Sequence, residues 1–167
     1  SMHFNKMAEA LKTSYAELKR EITNHMLTSE QLRKLSQAVE QSPAAVVITD
    51  TKGNIEYINQ KFSQLTGYTS EEAIGQNPRF LKSGQTPSEE YKRLWNIITS
   101  GQEWHGEFHN KRKDGGLYWE QTSISSIKDS EGKITHFLAI KEDITERKNI
   151  EMQLVCLAEN DPLTNLF

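Results

Sequence analysis

One cysteine, four prolines and an aromatic share of 8% are spread over 167 residues. The lone Cys156 excludes an internal disulfide framework and a multi-cysteine metal site, and it suits a reducing compartment. Charge of one sign is not in excess. Twenty Lys and Arg face 23 Asp and Glu, a formal net charge of −3 with no long basic or acidic block, so nucleic acid is not an expected partner. The longest apolar run, Ala44 to Ile48, is far too short to span a bilayer. Ser1-Met2 reads as a remnant of cloning, so the natural N-terminus is expected upstream. A cytoplasmic location is expected, with any inner-membrane anchor in segments upstream of these residues.

Glycine and proline are also missing from residues 4–40, and that absence points to a long helix. Phe4, Ala8, Leu11, Tyr15, Leu18, Ile22, His25, Ser29 and Leu32 recur at alternating steps of four and three, a heptad seam with a polar weak spot at His25 and Ser29. An amphipathic helix lying on its own domain would also bury such a stripe. The stripe is narrow, however, and the helix exceeds the roughly 12-residue average several-fold, which favours a helical partner. After Leu32 the apolar positions move to Leu35, Ala38 and Val39, so the helix is expected to turn from a partner toward a core.

The remainder alternates short strands and short helices. Ser42-Pro43 ends the helix, Ala45 to Thr49 and Ile55 to Ile58 read as strands, and "DTKGN" is the turn between them. Asn59 can cap a helix carrying Phe62 and Leu65, and Thr69 with Glu72 forms a capping box. In "TPSEEYKRLWNIITSG" Thr86 is the expected cap, Pro87 the first helical residue and Glu89 the residue closing the box. Strands at 103–112, 117–127 and 134–142 follow, joined by "KDGG" and "KDSEGK" turns, and a second helix is expected from Asp143 to Glu159. The order predicts an α+β domain, a five-stranded antiparallel sheet curled around short helices, with long helices at both ends.

Three segments carry a family resemblance: "SPAAVVITDTKGNIEYINQKFSQLTGYTSEEAIGQNPRFLKSG", "WHGEFHNKRKDGGLYW" and "ITHFLAIKEDITERK". In this order they resemble the PAS sensory domains. The resemblance implies a signalling helix over residues 1–34, a PAS domain over 35–145 and a linker helix over 146–160. The final "NDPLTNLF" looks like the opening of a GGDEF diguanylate cyclase domain, so 161–167 would be its start and the full-length bacterial protein a cyclase making cyclic di-GMP. Within the family, "GQNPRFLKSG" is similar to the blue-light LOV group, which carries a cysteine where this chain has Pro78. Arg79, Phe80, Leu81 and Asn110 match that group, whereas its second pocket asparagine is Glu120 here and its pocket glutamine is Lys141. The flavin-binding redox sensors of nitrogen-fixation regulators are similar through "SGQTP", Trp95, Asn110 and "KRKD", but their flavin-contacting serine and glutamate fall on Val47 and Pro78.

The site residues implied are Asn110, Trp95, Arg79, Glu120 and Lys141. FAD or FMN would be the first cofactor to test, with Asn110 at the ring edge, Trp95 stacked nearby and Arg79 as the phosphate or ribityl partner. Trp95 is also explained by ordinary core filling. Haem is not expected, because haem-binding PAS sensors place a histidine on the helices and 61–101 contains none. A metal is not expected either. His105 and His109 share a strand face with Glu103 and Glu107 but lie roughly 13 Å apart, whereas zinc needs ligands at about 2 Å. Strand alternation puts Tyr118, Glu120 and Thr122 on one face and Phe137, Ala139 and Lys141 on another, which the resemblance makes the pocket faces. Glu120 and Lys141 then either pair inside the pocket or reach solvent at the sheet edge. No nucleophile–base pair or phosphate-binding glycine loop is present, so these residues are not expected to form an enzyme. The resulting expectation is a sensor of a small ligand or redox state, homodimeric through its flanking helices. A ligand-free PAS domain serving as a dimerisation and relay spacer is the alternative.

Overall fold

The computed structural model describes residues 2–159. Met2–Glu40 forms one unbroken helix of 39 residues, α1, with no buried side chain. It is a unit by itself. Leu35 and Ala38 are exposed, and of the three positions expected to turn toward a core Val39 alone is partly buried, as is Glu40 at the helix end; residue 34 lies within the helix. Among the described residues no helix is long and apolar enough to cross a membrane.

From residue 41 the chain builds strands β1 (Ala45–Asp50) and β2 (Ile55–Ile58), helices α2 (Gln60–Thr66) and α3 (Ser70–Ala73), a 3-10 turn at Pro78–Leu81, and helix α4 (Ser88–Thr99). Strands β3 (Trp104–Lys111), β4 (Leu117–Lys128) and β5 (Ile134–Asp143) follow, and helix α5 (Thr145–Glu159) ends the described chain. The sheet has five strands in the order β2-β1-β5-β4-β3, and every neighbour is antiparallel. The final strands thus enter the middle of the sheet, and β5 pairs with both β1 and β4.

Period-two burial sets the faces. Trp104, Phe108 and Asn110 of β3 are buried while His105 and Glu107 are exposed, and Tyr118, Glu120 and Thr122 of β4 are buried while Gln121 is exposed. Two apolar clusters pack on the inner face. One gathers Val47, Ile55, Phe62, Leu65, Leu81 and Tyr118 beneath α2. The other gathers Leu94 and Ile98 of α4 with Trp104, Phe108 and Phe137. Ile124 touches both. Gly106 makes room for this second cluster, since a Cβ there would lie 2.3 Å from the Trp104 ring.

Local capping follows the sequence in two helices and departs from it in a third. Asn59 caps α2, and Thr69 with Glu72 forms the capping box of α3. At α4 the expected box is not made. Pro87 occupies the cap position without a side-chain bond, the helix begins at Ser88, and the Thr86 hydroxyl is engaged with Tyr91 instead. The 3-10 turn at Pro78–Leu81, capped by Asn77, was not legible as an element.

Asn59 also locks β1 to α2. Its side chain accepts from Val46 N at 2.9 Å and Phe62 N at 3.2 Å, and donates to the Ala44 carbonyl at 3.0 Å, all buried. Asn59→Ala takes the side-chain partner from Val46 N and the Ala44 carbonyl, while Phe62 N keeps the Asn59 carbonyl at 3.1 Å, and is expected to lower the unfolding free energy by about 2 kcal/mol. Urea unfolding with an unchanged m value would measure it.

Candidate ligand-binding site

Between the two apolar clusters, under α4, lies a cavity of about 170 Å3. Its walls are Val47, Ile124 and Ala139 from the sheet, Tyr91, Leu94, Trp95 and Ile98 from α4, and Phe108 and Phe137. The aromatic groups are ordered. Tyr91 stacks on Phe108 with centroids 5.4 Å apart and planes at 7°, and Phe108 stacks on Trp104 at 5.0 Å. Trp95 meets Phe137 edge to face at 5.8 Å. Gly53, at φ +85, brings the backbone close under Trp95, where a Cβ would stand 3.0 Å from the indole.

The polar side of the cavity is organised around β4. The Lys141 ammonium donates to the Glu120 carboxylate, and the side chains are 7% and 0% exposed. Of the two alternatives left by the sequence, the structure contains the internal ion pair. The two residues lie diagonally across the β4–β5 ladder, where Thr122 is the direct neighbour of Lys141. Glu120 also accepts from Tyr118 Oη at 3.1 Å and Thr122 Oγ1 at 3.2 Å. Burial next to the Glu120 carboxylate pushes the Tyr118 phenol far above its ordinary range, so it remains a donor. Asn110 is buried, lines the cavity and hydrogen-bonds Tyr118, which joins it to the same network.

Arg79 and Lys82 stand at the rim, both exposed. Lys82 Nζ lies 3.5 Å from the centroid of Tyr91. The segment carrying it is fastened to β3: Lys82 bridges Asn110 through the backbone, the Ser83 hydroxyl donates to the His109 carbonyl, and Gln85 Oε1 lies 2.6 Å from His109 Nδ1. Four of the five sequence-derived residues, Arg79, Trp95, Asn110 and Lys141, line this pocket, whereas Glu120 does not line it and reaches it only through its bond to Lys141. Lys82, Tyr91, Tyr118 and Phe137 were not singled out as site residues. Alternation placed Tyr118 and Phe137 on the right faces, but no local signal marked them as pocket groups. Among the described residues no group of His, Cys, Asp and Glu could hold a metal ion.

A second polar cluster joins the sheet to α5. Asp143 ends β5, and its carboxylate receives Thr145 N at 2.9 Å, Thr145 Oγ1 at 2.5 Å and Arg112 Nη2 at 3.0 Å. Arg112 also donates to the Leu65 carbonyl, and its guanidinium lies over the Tyr118 ring at 4.5 Å. Burial pulls the Asp143 carboxyl upward, but the bonds from Thr145 and Arg112 outweigh it and hold it below the ordinary value. Its contribution is therefore present above the unfolded carboxylate range and lost as pH falls through the lowered value. The helix thus begins at Thr145, not at Asp143.

A family model described as PAS domain matches residues 43–146. The chain belongs to the PAS family. The "Nitrogen fixation regulatory protein" of Klebsiella oxytoca is 39% identical over 116 residues, which cover 70% of this chain and 23% of that protein. "Blue-light-activated histidine kinase 1" of Erythrobacter litoralis (strain HTCC2594) is 30% identical over 154 residues, 88% of this chain and 43% of the kinase. A solved structure of an RNA-binding light-oxygen-voltage receptor superposes with a TM-score of 0.71 at 28% identity, covering 79% of this chain and 38% of that one. The chain spans less than half the length of each of these relatives. What is shown is a PAS sensory domain of the kind found in signalling proteins; the expected GGDEF opening at 161–167 lies outside the described residues.

The pocket departs from the light-sensing pattern that the resemblance implies. Pro78 lines the cavity where the resemblance places a reactive cysteine, and Cys156 is exposed on α5. Glu120 and Lys141 replace two amides and bond each other. Lys141→Met leaves Glu120 buried without its cation and is expected to cost about 3–5 kcal/mol. Glu120→Gln combined with Lys141→Gln is expected to cost clearly less, and thermal melts of the three proteins side by side measure the difference.

Proposed function

We propose that this PAS domain senses a small ligand in the cavity beneath α4 and relays its presence through β5 to α5, toward an output domain in the same chain. One observation carries the reading: Lys141, in the pocket wall, and Asp143, which fastens the start of α5, are two residues apart on one strand. A ligand that prefers one arrangement of the Lys141–Glu120 pair has a short path to the helix, provided it binds the two states with different free energies.

The relatives named for light-oxygen-voltage sensing bring FAD or FMN as the first cofactor to test, contacted by Asn110, Trp95 and Arg79. The "NDPLTNLF" ending suggests a diguanylate cyclase as the output domain. A homodimer through α1 fits such an output, because a cyclase must bring two active sites together. What supports the dimer is the seam itself: Leu11, Tyr15, Leu18, Ile22 and Leu32 are all more than half exposed in one chain. The competing reading, a ligand-free spacer, draws on the replacement of the pocket amides by an ion pair.

Hydrogen exchange on α5 tests the relay. Glu120→Gln with Lys141→Gln is expected to change amide protection in the first turn of α5, and Asp143→Asn is expected to abolish that response. An α5 indifferent to the pocket variant would leave the spacer reading. For the dimer, light scattering of a chain starting near Leu32 is expected to show mainly monomer, and an unchanged dimer would move the contact to the PAS domain.

A further inference from the structure

The pocket is small, flat-walled and lined by charge of one sign. Its volume of about 170 Å3 is close to the roughly 150 Å3 of an engineered cavity that takes up benzene. Tyr91, Trp95, Phe108 and Phe137 present ring faces and edges to it, surfaces that favour a planar aromatic guest. Its charged lining residues are Arg79, Lys82 and Lys141, without a carboxylate among them, although the chain as a whole is acidic. Glu120 stands behind Lys141, already accepting from Lys141, Tyr118 and Thr122.

Lys141 is the informative group. A lysine ammonium has three donors, and among the described residues the one hydrogen bond it makes is to Glu120. Tyr118 and Thr122 donate to the Glu120 carboxylate, and the Phe108 ring centroid lies 5.8 Å from the ammonium. A buried lysine that lines the cavity, with donors to spare, calls for an acceptor inside that cavity. Lys82 completes the arrangement from the rim, so Tyr91 and Phe108 lie between two ammonium groups.

Building on the ligand-sensing reading above, we infer that the pocket takes a planar aromatic acid of one or two rings, its carboxylate received by the spare N–H groups of Lys141 and its rings held beneath α4. The negative charge is the selected feature. Glu120 orients the lysine and balances it when the ligand is absent, so the ligand is met by a fixed donor in a desolvated site, where a charge-assisted hydrogen bond counts for more than in water. Lys82 screens the entering carboxylate at the rim.

Calorimetric titration of the full chain with 2-naphthoate, its neutral isostere 2-naphthamide and FMN tests this. Naphthoate is expected to bind at least about tenfold more tightly than the amide, the size of one charge-assisted hydrogen bond. In Glu120→Gln with Lys141→Gln, which keeps the volume and avoids an uncompensated charge, that preference is expected to fall below about threefold. Circular dichroism melting of the same variant verifies that it folds. Equal binding of acid and amide, or a preference that survives in the double variant, would overturn the assignment of Lys141. Binding of FMN without naphthoate would overturn the ligand class and leave the sensing reading standing. Absence of binding by all three would overturn both and favour the spacer.

Discussion

A carboxylate without solvent contact at the middle of β4 constrains everything around it. Glu120 is buried on the inner face of the sheet among mostly apolar and hydroxylic side chains, with Asn110 and Lys141 the other strongly polar groups, and an isolated charge there would be costly. The lysine that answers it must come from the neighbouring strand at one diagonal position, and the hydroxyls of Tyr118 and Thr122 must flank it on β4. A slip of one residue between β4 and β5 would turn Lys141 outward and strand the carboxylate. The ion pair therefore reinforces the register of the central ladder as well as forming one wall of the cavity. It also explains why the cavity has a polar end at all, since the remaining lining from α4 and β1 is largely hydrophobic.

The same ladder carries the connection outward. β5 pairs with β1 as far as Lys141 and with β4 on to Asp143, so both residues belong to the β4–β5 ladder. Arg112 gives a second route from the same network. It lies over Tyr118, bonds the Leu65 carbonyl at the end of α2, and pairs with Asp143. One side chain thereby links α2 and β4 to the entry to α5.

Much of the domain was legible because its code is local. Alternation in "WHGEFHN" and "LYWEQT" separated the inner from the outer face, and Asn59, Thr69 and Glu72 announced their caps. The Glu120–Lys141 pair was legible too, as one of two outcomes, because two charges fell on faces that the family resemblance placed inside. The failures are longer-range. Thr86 has the right side chain for a helix cap but is engaged with Tyr91, which the local sequence does not encode. Leu35 and Ala38 continue an apolar pattern, yet both are exposed, and partial burial begins only at Val39 and Glu40. The fastening of residues 82–85 to β3, and of Arg112 to Asp143, joins positions 26 and 31 residues apart, beyond the reach of periodicity. A cavity volume depends on how rings stack, and composition does not report it.

The seat of α5 on the sheet has a further consequence. Apart from Ile144, which is buried, the helix start is held by polar links: Arg147 and Lys148 to Glu107 at 3.3 and 2.5 Å, Lys148 over Trp119 at 5.2 Å, and Trp119 N to Thr145 Oγ1 at 3.0 Å. Partly exposed ion pairs of this kind each contribute about 0.2–1 kcal/mol and weaken with salt. Detaching the helix thus exposes little hydrophobic surface, and the work of release lies in the range that one bound small molecule delivers through unequal affinity for two states. The latch is matched in strength to the hand that would lift it, and its stiffness is set by the ionic strength of the surroundings.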